Sequence, residues 1–491
     1  MSGSISFNGM PGSIRVPGSY IEIDNSRALR GLTDWPAKVA ILGQRLSTGT
    51  VAAGVPTRVT SADQARIFFG RGSMLAHMFE AWFRVNPATE VWGVALDDVG
   101  AGNAAAGTYQ TSGTVSAASV LALMIGGRRI EVSLPAGTVA TATATAIGAA
   151  INANPDLPVT ATVNVGLVNL AAKHKGEVGN SITFSVNPNV GDTTPPGLTL
   201  TVGAGMSGGT QNPTAVTALD ALGETWFTDI VTPWTDATNI AAIEARLASN
   251  FGPLLMRDGH AWATRADTFG NLTTYGAARN SPQLTVMGVR GSPTPPYEWS
   301  ATLAAVAIQA LAADPARPVQ TLQLPGLIAP TIPNRFTWTE RDQLLRVGIA
   351  TWRANDAGQV FIERAVTTYQ TSPSGAADAS YLDVETLKTV AYLRYDLRTM
   401  IALRFPRHKL ADDGTNFARG QAVVTPGTIR AEIIGRFKQW EAAGLVEGVD
   451  QFKADLIVTR NPNDPNRVDA LLPPDLVNQF RVLAAQIEFL L

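Results

Sequence analysis

One stretch constrains the fold of this chain more than any other. Between Val99 and Gln211 only eight side chains carry a formal charge: Arg128, Arg129, Glu131, Asp156, Lys173, Lys175, Glu177 and Asp192. None of the ten tryptophans falls there. The window is dense in Gly, Ala, Thr and Val, and short apolar runs alternate with turn residues such as Gly126-Gly127 and Asn187-Pro188. That pattern predicts β structure. The strands expected are Leu121–Ile125, Arg129–Leu134, Val159–Asn164, Leu167–Ala171, Ser181–Val186 and Gly197–Val202, with one helix over Ala142–Ala153. Gly-rich loops at Gly100–Gly107 and Gly203–Gly209 border the window. We therefore expect residues 99–211 to be a β-rich domain inserted at a surface loop of another domain, where insertion is tolerated.

The flanks read differently. Strand candidates at Lys38–Leu42, Glu90–Ala95, Asp229–Val231, Ala261–Thr264 and Gln283–Val289 alternate with helix candidates at Ala62–Phe69, Met74–Asn86, Ala215–Leu222, Thr238–Ser249, Leu272–Ala278 and Ala301–Ala313. Alternation of this kind predicts an α/β layer with a mainly parallel sheet, in two parts, 36–98 and 212–350. Residues 351–491 read as a third, α+β unit. It has a strand at Gln359–Ala365, helices at Val384–Ala402 and Thr428–Ala443, and strands at Phe452–Val458 and Asn478–Leu491. With 491 residues, about three domains at ~150 residues each is the expected count. Residues 1–35 form an extended N-terminal arm, with Ile14, Val16, Tyr20, Ile21 and Ile23 as its apolar positions. The chain closes on a second apolar, strand-like segment carrying Phe480, Val482, Ile487 and Phe489. Two such arms point to strand exchange between subunits, the alternative being an ordinary edge strand at each end.

Charge and composition exclude several functions. The net charge is −2, so no global field draws nucleic acid or an anionic membrane. Cysteine is absent, which removes disulfides, thiolate metal sites and cysteine nucleophiles. Met1–Val16 lacks the basic and apolar regions of a signal peptide, and the apolar helix Ala301–Ala313 is shorter than the ~20 residues of a membrane span. We expect no direct membrane insertion.

Catalytic motifs are weak. Gly205-Met206-Ser207-Gly208-Gly209 fits G-x-S-x-G, but more loop follows where a nucleophile elbow needs a helix. Gly203–Gly208 fits G-x-G-x-x-G, yet Pro213 opens the next helix too late to meet a pyrophosphate. No P-loop is present, and no cofactor is expected. The four histidines, His77, His174, His260 and His408, have no metal-ligand spacing. His260 with Ser281 or Ser300 makes only an imaginable triad. Asp97-Asp98 and Asp412-Asp413-Gly414 read as turns. The basic cluster Arg404–Lys409 suits an acidic protein surface better than nucleic acid.

The residues that carry a family signal lie mostly in the last third. Val360-Phe361-Ile362-Glu363-Arg364-Ala365-Val366-Thr367-Thr368-Tyr369-Gln370 resembles the R-[AV]-[VI]-T-T-Y strand of phage tail sheath proteins. Tyr381–Val384, Leu393–Arg398, Phe405–Thr415 and Val423–Pro426 continue the likeness. Ile5–Asn8, Ile14–Gly18 and Glu22–Ser26 are similar to the start of its Mu-like branch. The resemblance implies a contractile tail sheath protomer with a non-catalytic core sheet of subtilisin-like topology, an outward-facing insertion, a C-terminal domain facing the inner tube, and arms that lend strands to neighbours. It implies six-fold rings stacked around a tail tube protein, with baseplate and tail terminator proteins as partners, in a virion tail put together in the host cytoplasm. Arg407 and Lys409 are the candidate tube-facing residues. A phage-derived bacteriocin or injection device remains an alternative, as does a serine hydrolase on the same α/β layout.

Overall fold

The computed structural model describes residues 32–418 and 420–490. The chain divides into two compact units, Pro36–Leu387 and a second made of Met1–Trp35 with Lys388–Leu491. The division falls within the helix Val384–Arg404.

The first unit is built on an eight-stranded sheet. Six strands run parallel, in the order Glu90–Leu96, Lys38–Gln44, Asp229–Val231, His260–Ala266, Leu284–Val289 and Ile349–Ala354. Thr57–Val59 closes one edge and Val360–Arg364 the other, both antiparallel. Parallel strands are covered on both faces and so read as continuous apolar runs. Val39–Leu42 and every residue of Leu284–Val289 are buried. The sheet's last two strands correct one expectation. A domain boundary between residues 350 and 351 would cut the strand Ile349–Ala354, whose hydrogen bonds tie it to Leu284–Val289.

Two helices pack against this sheet and against each other. Met74–Phe83 starts where buried Ser73 accepts the Ala76 N–H, and eight of its ten residues are buried. Pro296–Ala313 begins five residues earlier than its alanine-rich run suggests, because a proline at the first helical position needs no N–H partner.

Residues 104–202 carry two further sheets. One is four-stranded and antiparallel, ordered Leu198–Val202, Ala104–Gly113, Leu167–Lys175, Val159–Asn164. The other joins Arg128–Leu134, Ser119–Ile125 and Phe184–Val186. With the helix Ala140–Ala153 they enclose a separate core that includes Tyr109, Leu123, Ile147 and Val168. The strand Ala104–Gly113 replaces the loop expected at Gly100–Gly107.

Polar groups fasten these sheets to the core helices. Arg128 donates to Glu298 at 2.8 Å and faces Glu80 at 3.4 Å, while Arg66 donates to Glu80 at 2.7 Å. Arg71 grips Asp156 through two hydrogen bonds of 2.7 and 2.8 Å. Fully buried His77 lies 2.8 Å from the Asp156 carbonyl oxygen. His174 Nε2 accepts the Met74 N–H at 3.1 Å, and its Nδ1 lies 3.0 Å from Asp98. Burial raises the Glu298 carboxyl above the ordinary glutamate range. Burial first, and the Arg128 charge second, hold His77 well below the usual histidine value.

Candidate assembly interface

The second unit packs around an aromatic centre. Thr425 caps the helix Pro426–Ala442 by accepting the Thr428 N–H. That helix turns Ile433, Phe437 and Trp440 inward. Phe437 stacks on Phe452 with ring centroids 4.0 Å apart and meets Trp440 edge-on. Phe452 sits on the short helix Val449–Asp455, where the sequence suggested a strand over Phe452–Val458. Phe452 and Leu456 are both buried and one helical turn apart, which is why the helix forms there. The strand comes later, at Ile457–Arg460, paired antiparallel with Val468–Leu471.

That hairpin is a two-stranded sheet. Its cross-strand pair Ile457 and Leu471 is exposed at both positions. The hairpin packs on the helix Pro426–Ala442, and among the described residues its outer backbone edges pair with no further strand, which leaves room for a third.

The C-terminal segment has the matching character. Residues 478–490 form no regular secondary structure, which corrects the strand expected over Asn478–Leu491. Phe480 is 73% exposed and Ile487 88% exposed, and Val482, Leu483, Phe489 and Leu490 are just as open. Contiguous apolar exposure of this kind marks an interaction surface rather than a solvated end. Ile14, Val16, Tyr20, Ile21 and Ile23 lie outside the described residues.

The basic cluster is a modest patch. Arg404 is taken by Glu432 at 2.5 Å. Lys409 is exposed in the two-residue strand Lys409–Leu410 and donates to Gln421 at 3.1 Å. Arg407 is exposed, and among the described residues it makes no ion pair. The neighbouring acidic pair serves as turn and cap: Asp413 accepts the Gly427 N–H at the start of the helix Pro426–Ala442, and Asp412 pairs with Arg460.

Ser207, His260 and Ser300 each have structural partners. Ser207 exchanges backbone hydrogen bonds with Ala106, and the next helix opens only at Ala215, so no strained elbow forms. His260 Nε2 lies 2.9 Å from Thr285 Oγ1 inside the parallel sheet. Ser300 donates to the Pro296 carbonyl oxygen. Among the described residues no group of three or more His, Asp or Glu could hold a metal ion, and no helix is long and apolar enough to cross a membrane.

Comparison with known proteins identifies the family and agrees with the mixed α/β architecture. Residues 208–368 match the phage tail sheath protein central domain, and residues 376–490 match the phage tail sheath C-terminal domain. The Mu-like prophage FluMu tail sheath protein of Haemophilus influenzae is 40% identical over 488 residues, spanning 99% of this chain and 100% of that protein. Two solved structures share the fold at 13% identity and a TM-score of 0.50. One is a sheath tail protein from Listeria innocua, over 92% of this chain and 94% of that one. The other is the helical sheath of the anti-feeding prophage in its contracted state, over 97% and 98%. This chain belongs to the phage tail sheath protein family, and its role is that of a structural protomer of a tail sheath.

Proposed function

We propose that copies of this chain stack as hexameric rings around an inner tube, and that the stack contracts to drive the tube through the target cell envelope during genome delivery. The observation that carries this reading is the exposed apolar run Val482–Leu490, in which Val482, Leu483, Ile487, Phe489 and Leu490 are each at least 78% exposed. The segment adds as a strand to a neighbour, and the open Ile457–Arg460/Val468–Leu471 hairpin is its acceptor. The N-terminal arm, with Ile14, Val16, Tyr20, Ile21 and Ile23, does the same from the other end. Arms of this kind keep rings joined while protomers turn as rigid bodies, so that each contracted ring biases the next. The driving free energy is a difference in inter-subunit contact, and the role needs no catalysis and no cofactor. Residues 99–211 form the outward-facing part. Arg407 and Lys409 face the tube, where a small charged patch gives a contact weak enough to break. The tail tube protein, baseplate and tail terminator are the other partners, in a virion tail put together in the host cytoplasm.

The test is negative-stain electron microscopy with sedimentation across a concentration series, in the presence of tube and baseplate. The intact chain forms ringed tubes. Deleting Met1–Ile23 or Asn478–Leu491 abolishes them. Tubes that persist through both deletions refute the strand-exchange reading.

A further inference from the structure

The N-terminal root of the described chain is gripped by one face of one helix. Asp396, on the helix Val384–Arg404, is fully buried. Its Oδ1 accepts the Thr33 N–H at 2.9 Å. Its Oδ2 accepts the Trp440 Nε1–H at 2.7 Å and lies 2.7 Å from Arg436 Nε. Tyr392, four residues earlier on the same helix face, donates its hydroxyl to the Thr33 carbonyl oxygen at 2.9 Å. The Trp35 ring stands edge-on to Tyr395 at 5.6 Å and tilted against Tyr392 at 6.4 Å. Both backbone groups of Thr33 are thus held by side chains one helical turn apart.

That arrangement exceeds what a solvated connector needs. A buried carboxylate is costly unless paired and hydrogen-bonded. Here two hydrogen-bond donors and a guanidinium, from two distant parts of the sequence, converge on it. Hydrogen bonds to a backbone N–H and carbonyl fix direction as well as distance, which apolar packing alone does not.

We infer that Asp396 is the positioning residue of the N-terminal arm: with Tyr392 it fixes where, and in which direction, the chain leaves the helix at Thr33. The inference rests on the reading that residues 1–35 act as an exchanged arm. Arg436 and Trp440 orient the carboxylate, and the carboxylate orients the arm. A turn of the helix then carries the arm with it, rather than being absorbed in a loose hinge.

The test compares full-length Tyr392→Phe, Asp396→Asn and Asp396→Ala, each alone and combined with deletion of Met1–Ile23. The readout is the critical concentration for tube formation, measured by sedimentation. Near-ultraviolet circular dichroism checks the fold, and Tyr392→Phe removes only a hydroxyl. Tyr392→Phe raises the critical concentration roughly two- to tenfold, the range of one hydrogen bond. Asp396→Ala raises it by about tenfold or more. Asp396→Asn, which keeps an acceptor for Thr33, recovers most of that loss. Because deletion of Met1–Ile23 alone abolishes tubes, the arm-deleted variants are compared by urea midpoint: a merely structural role for Asp396 lowers the midpoint there and in the full-length chain alike, in step with the loss of assembly, whereas a positioning role lets Tyr392→Phe raise the critical concentration of the full-length chain at an unchanged midpoint. Wild-type assembly of folded Tyr392→Phe and Asp396→Ala, beside failure of the arm deletion, overturns this inference alone. Normal assembly of the arm deletion overturns the arm reading, and this inference with it.

Discussion

Arg128 is the side chain whose removal most directly tests how residues 104–202 are held to the core. Its guanidinium donates to Glu298 at 2.8 Å and to the Gly126 carbonyl oxygen at 3.1 Å, with Glu80 at 3.4 Å. Glu80 keeps Arg66 if Arg128 is lost, but buried Glu298 loses its hydrogen-bonded partner and keeps only the weaker pull of Arg84. Removing one partner of such a pair costs about 3–5 kcal/mol. The penalty is bounded by protonation of Glu298, whose carboxyl burial already raises, and loss of Arg128 raises it further. A carboxyl with a raised folded-state value contributes fully below its unfolded value, and that contribution is lost as pH climbs through the folded value. Wild type and variant therefore lose stability in parallel until pH passes the wild-type folded value, which already lies above 4.5. Beyond it only the variant goes on losing, and the deficit grows by up to about 1.4 kcal/mol per pH unit. Urea unfolding followed by tryptophan fluorescence, variant against wild type at pH 5 and pH 8, measures both. Arg128→Met combined with Glu298→Gln removes both charges and leaves a deficit near 1 kcal/mol, so the double-mutant cycle shows about 2 kcal/mol or more of coupling. A deficit under about 1 kcal/mol at pH 8, or one equal at the two pH values, refutes the reasoning.

Three further outcomes are expected. His77, held neutral by burial and then by Arg128, contributes stability that is complete above the usual histidine value of 6.5 and lost as pH falls below it; the urea midpoint drops accordingly, by up to about 1.4 kcal/mol per pH unit, and His77→Gln flattens that slope. Phe437→Ala empties the stack against Phe452 and costs about 3–5 kcal/mol in the same assay, with Phe437→Leu costing clearly less. Gly72→Ala puts a Cβ onto the Pro155 carbonyl oxygen at φ +81°, whereas Gly414 at φ +86° opens to empty space; thermal melting shows Gly72→Ala losing more than the ~1–2 kcal/mol that left-handed backbone alone costs at Gly414→Ala.

The core sheet was legible because its signal is local. The run Val39–Leu42 is apolar throughout and Leu284–Val289 is apolar but for Thr285, as parallel strands covered on both faces require. The strand Ala104–Gly113 was not legible, although its burial alternates through Ala105, Gly107, Tyr109 and Thr111. Three of those four side chains are too small or too polar to stand out, and the missing bulk at Gly107 is supplied from elsewhere: Phe184 and Met206 fill the space a Cβ would take. The helix Val449–Asp455 escapes a local reading for a related reason. A short apolar run admits either period, and only the burial of Phe452 together with Leu456 selects the helical one.

The long-range polar contacts and the tail divide in the same way. Asp98 and Asp396 each sit in unremarkable polar sequence, and their partners are far along the chain: His174 for the first, Thr33, Arg436 and Trp440 for the second. No local pattern encodes a long-range hydrogen bond. The tail is the opposite case. Phe480 and Val482, then Ile487 and Phe489, alternate as a strand should, and the sequence alone predicts one. The single chain leaves them exposed because a strand is defined by its partner, and an edge must be present before alternation can be used. Ordering such a segment costs about 1–2 kcal/mol of backbone entropy per residue, which only burial of its apolar face can offset. On the proposed strand exchange, a tail that keeps its strand pattern without regular structure of its own is completed by an edge on another copy, and the hairpin carrying Ile457 and Leu471 is the proposed acceptor.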